Sequence, residues 1–163
     1  MSRTTARAAA PGERVLKLWR QCARLPFGRA LFSMLLGGMV PYSGSIGATV
    51  LTLEPGHAKL ALRERRRVRN HLGSVHAVAL TNLGELASGL AMTSALPAGV
   101  RGIVLSIVSE YVKKARGTLV AEVRVTVPEV TGDTDFEVRA EIRDSAGELV
   151  ARVLVHWRLG LVP

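Results

Sequence analysis

Apolar positions along the chain change period twice. From Glu13 to Leu25, Val15, Leu16, Leu18, Trp19 and Leu25 are interrupted by Lys17, Arg20 and Arg24, the spacing of an amphipathic helix closed by Pro26. A second short helix is predicted over about 29–36, with Gly37, Gly38 and Pro41 as a break. From Ile46 the pattern favours strands: Val50, Leu51 and Leu53, then Glu54-Pro55-Gly56, then Leu60 and Leu62 read as a hairpin around a tight turn. A long helix is predicted over 74–93, with Ser74 able to cap it and Pro97 and Gly99 closing the segment beyond. Strands then follow over 102–114, 119–127, 136–142 and 149–159, the middle two with strict alternation of inward and outward residues. The order is helix, helix, β, β, long helix and four more β segments. Such an order favours an α+β fold in which one curved antiparallel sheet wraps the long helix.

The long helix carries the candidate chemistry. Between Arg69 and Arg101 the only fully charged side chain is Glu85. A lone carboxylate on an apolar helix is costly unless it is paired or used. At 100° per residue, Thr81, Asn82, Glu85, Ser88 and Gly89 share one small, polar face, while Leu80, Leu83, Leu86, Ala87, Leu90 and Ala91 cover much of the remainder. Small residues let a substrate, or a second copy of the helix, approach closely. The alternative for Glu85 is a structural ion pair with an arginine from another strand.

Asn70, His71, Gly73 and His76 precede the helix, whose first amides, those of Ala77 and Val78, are natural donors to an anion or a developing oxyanion. Ala77 and Glu85 are eight residues apart, roughly 12 Å of helical rise, so one helix cannot bring both to one carbonyl. If they cooperate, each comes from a different subunit of a symmetric dimer.

Composition narrows the field. The 163 residues are 48% hydrophobic, 21% charged and 4% aromatic, which fits one globular domain with an aliphatic core. The expected division is a frayed or disordered stretch over 1–12 and a single domain over 13–163, with 13–40 as a helical extension. The single Cys22 excludes an intrachain disulfide and fits a reducing, cytoplasmic location. The net charge of +9 attracts polyanions, with clusters at Arg63, Arg65, Arg66, Arg67 and Arg69 and at Lys113, Lys114 and Arg116. No base-stacking aromatics interleave with these residues, so nucleic acid is not an expected partner. The four histidines lack ligand spacing, so no metal site is expected; Ser43, Ser45 and Ser74 lack a nucleophile-elbow context. The apolar run 30–40 falls short of the roughly 20 residues needed to span a bilayer.

Taken together, several short motifs resemble the hotdog-fold thioesterase superfamily. They are Pro41-Tyr42, Pro55-Gly56-His57, Arg69-Asn70-His71 with His76-Ala77, Glu85-Leu86-Ala87, and Tyr111 through Gly117. They are most similar to an uncharacterised subgroup akin to phenylacetate-pathway-type acyl-CoA thioesterases. Here Ala77 and Val78 stand where that branch has two glycines, and Glu85 where it usually has aspartate. The resemblance implies hydrolysis of a thioester of coenzyme A or of an acyl-carrier protein, in a homodimer or homotetramer, with no cofactor beyond the coenzyme A of the substrate. It implies that Glu85 is general base or nucleophile, that Ala77 supplies an oxyanion-hole amide, and that Asn70 and His76 assist. Gly73, Val78, Asn82, Tyr42 and Tyr111 would contact substrate, and Lys113, Lys114 and Arg116 its phosphates. Two other readings compete: a hotdog protein that binds acyl-CoA or a fatty acyl chain without turnover, and a membrane-surface or scaffold protein using its basic N-terminal helices.

Overall fold

A computed structural model describes residues 10–162. Three helices lead, α1 (Pro11–Ala23), α2 (Gly28–Met39) and α3 (Pro41–Gly44). Strands β1 (Thr49–Glu54) and β2 (His57–Arg63) follow, then a 3₁₀ turn at Arg66–Val68 and the long α4 (Ala77–Ala95). Four strands complete the chain: β3 (Val100–Tyr111), β4 (Thr118–Arg124), β5 (Thr134–Arg143) and β6 (Leu149–Leu161). The six strands form one antiparallel sheet in the order β1-β2-β4-β5-β6-β3. The fold is α+β, with the sheet curved around α4, as the order of elements predicts.

Alternation on the strands decides which face meets the helix. Leu60, Leu62, Leu119, Ala121, Val138, Ala140, Val153 and Val155 are fully or almost fully buried, and Leu80, Leu83, Ala87 and Ala91 of α4 join them in one core. Burying each of the larger aliphatic side chains contributes about 1.5–3 kcal/mol. The closest approach is at Gly84, where a Cβ would stand 2.5 Å from Cβ and Cγ2 of Val153.

Three sequence expectations need correction. The helix starts at Ala77, not Ser74, and its N-cap is His76. Arg69 bridges Val75, the Val75 N–H donates to the Ala115 carbonyl and the His76 N–H to the Val68 carbonyl, so 75–76 are held extended. The Ser74 hydroxyl donates instead to Asn70 Oδ1. Gly37 and Gly38 lie inside α2 and do not break it. Gly44 of α3 packs against this stretch so closely that a Cβ there would meet the Gly37 backbone at 2.6 Å. The first helix begins at Pro11; the expected frayed segment falls largely on 1–9, outside the described residues. Among the described residues no helix is long and apolar enough to cross a membrane.

Helices α1, α2 and α3 cover the side of α4 that the sheet leaves open, with Leu16, Phe32 and Leu36 joining the core. Trp19 meets Phe32 edge to face, ring centroids 5.1 Å apart. At the other limit of the sheet, β3 is an edge strand whose Ile103, Leu105, Ile107 and Val108 are exposed.

Gly84→Ala should lower stability by about 1–3 kcal/mol, because the added methyl overpacks against Val153. Urea unfolding checks this. Adding Val153→Ala should recover part of the loss, since the two sites couple through one contact.

Candidate functional site

Glu85 is half-buried on the face of α4 turned towards the N-terminal helices. Among the described residues no hydrogen bond or ion pair engages its carboxylate. Burial pushes its pKa up from the ordinary glutamate range. The carboxylate lies on the wall of a cavity of about 270 Å3, bounded by Val15 of α1, Leu36 and Met39 of α2, and Leu86, Gly89 and Leu90 of α4. A base held there is better matched to taking a proton near neutral pH than an exposed glutamate.

The polar stripe expected on α4 is present but differentiated. Thr81, one turn before Glu85, shares 2.8 Å hydrogen bonds with Ser109 Oγ and Tyr111 OH on β3. Tyr111 OH also donates to the Ala77 carbonyl at 3.3 Å. Ser88, one turn after, accepts from Trp157 Nε1 at 2.9 Å and is fully buried. Asn82 is buried too; its Nδ2 donates to the Tyr42 carbonyl at 3.4 Å, and its Oδ1 finds no partner. The polar groups of Thr81 and Ser88 thus join α4 to the sheet, and Glu85 between them is left unengaged.

A second concavity, about 250 Å3, lies at the N-terminus of α4. Asn70, Ser74, Ala77, Tyr111, Lys113 and Lys114 line it, residues the sequence singles out from two distant segments. Of the first-turn amides, Val78 N–H donates to His76 Nδ1 at 3.1 Å, and those of Ala79 and Leu80 donate to the His76 carbonyl. Ala77 N–H alone is left without an acceptor among the described residues. Asn70 shapes this mouth: its Oδ1 accepts from the amides of Leu72 and Ser74 as well as the Ser74 hydroxyl. Gly73 supplies the left-handed turn, φ 66°, that brings the loop back.

Other expected contacts lie elsewhere or are already engaged. The Tyr42 ring is exposed and lines neither cavity. Val78 is exposed beside the cap. Lys113 is 2.6 Å from Asp144 and also pairs with Glu148; the Asp144 and Glu148 carboxylates push its pKa up. Arg116 does not line the mouth, and Lys114 is its free cation among the described residues. In the other basic cluster, Arg65 donates to the carbonyls of Ile46 and Gly47, and Arg69 pairs with Glu64 at 2.6 Å. The Glu64 carboxyl is held below its usual range by the Gly117 N–H and by Arg69. These arginines brace the loop that leads into α4. Missing from the sequence reading were Val15, Leu36 and Met39 as walls of the Glu85 cavity. Only apolar spacing marks them, and spacing identifies a core face without saying which other face it meets.

A larger concavity, about 600 Å3, is on the solvent face of β2, β4 and β5. Its charges largely compensate one another, as in Lys59–Glu122 and Arg143–Glu141. It is remote from Glu85 and offers no reactive group. Among the described residues no three His, Cys, Asp or Glu side chains gather where a metal ion could be held.

A family model described as a domain of unknown function, DUF4442, matches residues 28–159. No curated protein matches the chain. A protein crystallised as genomics APC5556 is 29% identical, with a TM-score of 0.80 over 91% of this chain and 99% of that one. PA5026 of Pseudomonas aeruginosa, of unknown function and described as a probable thioesterase, is 23% identical, with a TM-score of 0.73 over 85% of this chain and 97% of that one. PA5202 of the same organism, described as a conserved protein, is 26% identical, with a TM-score of 0.64 over 72% and 92%. The match runs from α2 into β6, and the chain is therefore a member of the DUF4442 family with the hotdog fold.

Proposed function

We propose that the protein hydrolyses thioesters, with coenzyme A or an acyl-carrier protein as the thiol half of the substrate. The observation that carries this is Glu85: a carboxylate with no partner among the described residues, raised in pKa by burial, on the wall of a largely apolar cavity. The probable-thioesterase description of PA5026, which shares the fold, supports the same reading.

Chemistry follows from the groups available. Glu85 takes a proton from a water as its oxygen attacks the thioester carbonyl carbon. An unclaimed helix N-terminal amide, Ala77 N–H, receives the developing oxyanion. Collapse breaks the C–S bond, the sulfur leaves as thiolate, and the proton held by Glu85 neutralises it. Because roughly 12 Å of helix separates the two groups, the amide belongs to Ala77 of the partner subunit. Edge strand β3, with its exposed apolar side chains, is the surface through which the second copy pairs. Lys114 reaches for the phosphates of the carrier arm. Acyl-CoA binding without turnover is the second reading, and one observation favours it: His76 Nδ1 already occupies Val78 N–H, leaving a single amide for the oxyanion.

Two variants test the composite site. Glu85→Gln removes the base and should cost at least about 100-fold in kcat/KM. Ala77→Pro removes only the amide proton, since proline fits the first helical position and His76 already has the extended ψ of 139° that a following proline requires. Each homodimer should be inactive, and co-expressed heterodimers should regain one working site of two. Recovery in neither direction would place both groups in one chain. Acyl-CoA that binds tightly without releasing thiol would establish the second reading.

Glu85→Gln also has a stability signature. A carboxyl whose pKa folding raises destabilises the fold where it is ionised, above that raised pKa, and not below the ordinary glutamate value. The variant should therefore be more stable than the wild type at neutral pH. The gain should shrink as pH falls through the raised pKa, as followed by chemical denaturation across pH.

A further inference from the structure

We propose that the cavity under α1 and α2 is the acyl-chain pocket, and that these helices select medium-length aliphatic acyl groups of roughly eight to ten carbons. This assignment rests on the thioester reading and gives it a substrate class.

The lining dictates what can enter. Among the described residues no lysine, arginine or histidine faces this cavity. The phosphate-bearing end of a carrier therefore has no counter-charge there, and only the uncharged end of the substrate fits. No aromatic ring lines it either, so the walls offer contact to a flexible aliphatic chain and no stacking surface to an aryl group. Glu85 is the sole charged group among the described lining residues and the lining residue of α4 nearest the helix N-terminus; the cavity runs from there to Ser94. That is nine residues, roughly 13 Å of helix. A carbonyl beside Glu85 thus leaves its alkyl tail pointing along α4 beneath Val15, Leu36 and Met39.

Volume sets the length. An apolar cavity of about 150 Å3 admits benzene, with its six carbons. On that scale the 270 Å3 here holds about ten carbons, and the rest of a sixteen-carbon chain would lie outside it. Gly89 lies beside the carboxylate, where a Cβ would stand in ordinary contact, 4.0 Å from Glu85 Oε1 and 3.8 Å from the Trp157 ring. Met39 is exposed at the rim, where an unbranched thioether adapts to chain length.

The test compares kcat/KM from acetyl-CoA to palmitoyl-CoA for the wild type, Val15→Phe and Met39→Ala. In parallel, calorimetry measures binding of butyryl and decanoyl thioether analogues of CoA to Glu85→Gln, alone and combined with Val15→Phe. Val15→Phe should lower the decanoyl-to-butyryl kcat/KM ratio at least tenfold, and Met39→Ala should move the optimum to longer chains. If Val15→Phe does not fold, Met39→Ala, at an exposed rim position, carries the test. Folded variants with the wild-type chain-length profile would overturn the pocket and leave thioester hydrolysis standing. Absence of hydrolysis by the wild type, with decanoyl-selective binding lost in the Val15→Phe combination, would uphold the pocket and overturn turnover. Equal affinity for both analogues would overturn the pocket.

Discussion

Helix α4 lies so close to β6 that only glycine fits at position 84, with Val153 at 2.5 Å from where a Cβ would be. That contact seats the helix in the concave sheet and fixes its rotation. Leu80, Leu83, Ala87 and Ala91 then point into the core, and Glu85 is turned away from it. Whatever Glu85 does follows from this rotation.

An apolar helix seated on one side of a sheet still has a second side to cover. In this chain α1 and α2 provide the cover, and their fit is incomplete. They seal the helix at Leu16, Phe32 and Leu36 but leave a space over Leu86 to Leu90. Dry walls around a carboxylate raise its pKa by denying the ion its hydration. The helical extension is thus behind both features: its cover buries the carboxylate and raises its pKa, and its incomplete fit leaves the cavity.

Neighbouring polar groups serve to hold this arrangement. Thr81 and Ser88, one turn to either side of Glu85, are tied to Tyr111 and Ser109 and to Trp157 respectively. The Ser88–Trp157 bond is buried, and such a bond is costly to break on one side only. These ties explain why a helix face with several polar residues presents only one free reactive group. The N-terminal mouth is built likewise: His76 and Asn70 use their polar atoms to finish the turn into α4, which leaves Ala77 N–H unclaimed.

Much of the fold is legible in the chain, because strand alternation, turn residues and the spacing of α4 are local. The isolation of Glu85 is equally local, a matter of counting charges between Arg69 and Arg101. The start of α4 was not legible: Ser74 is a good cap by itself, but hydrogen bonds from Val75 and His76 to distant carbonyls delay the helix until Ala77. Nor was the fate of the cations, since Lys113 is claimed by Asp144 and Glu148 some thirty residues on, and Arg69 by Glu64. Sequence alone determined which elements form and which acid stands alone. Tertiary structure decided which polar groups remain free and what encloses them, because those outcomes depend on partners that only folding brings within reach.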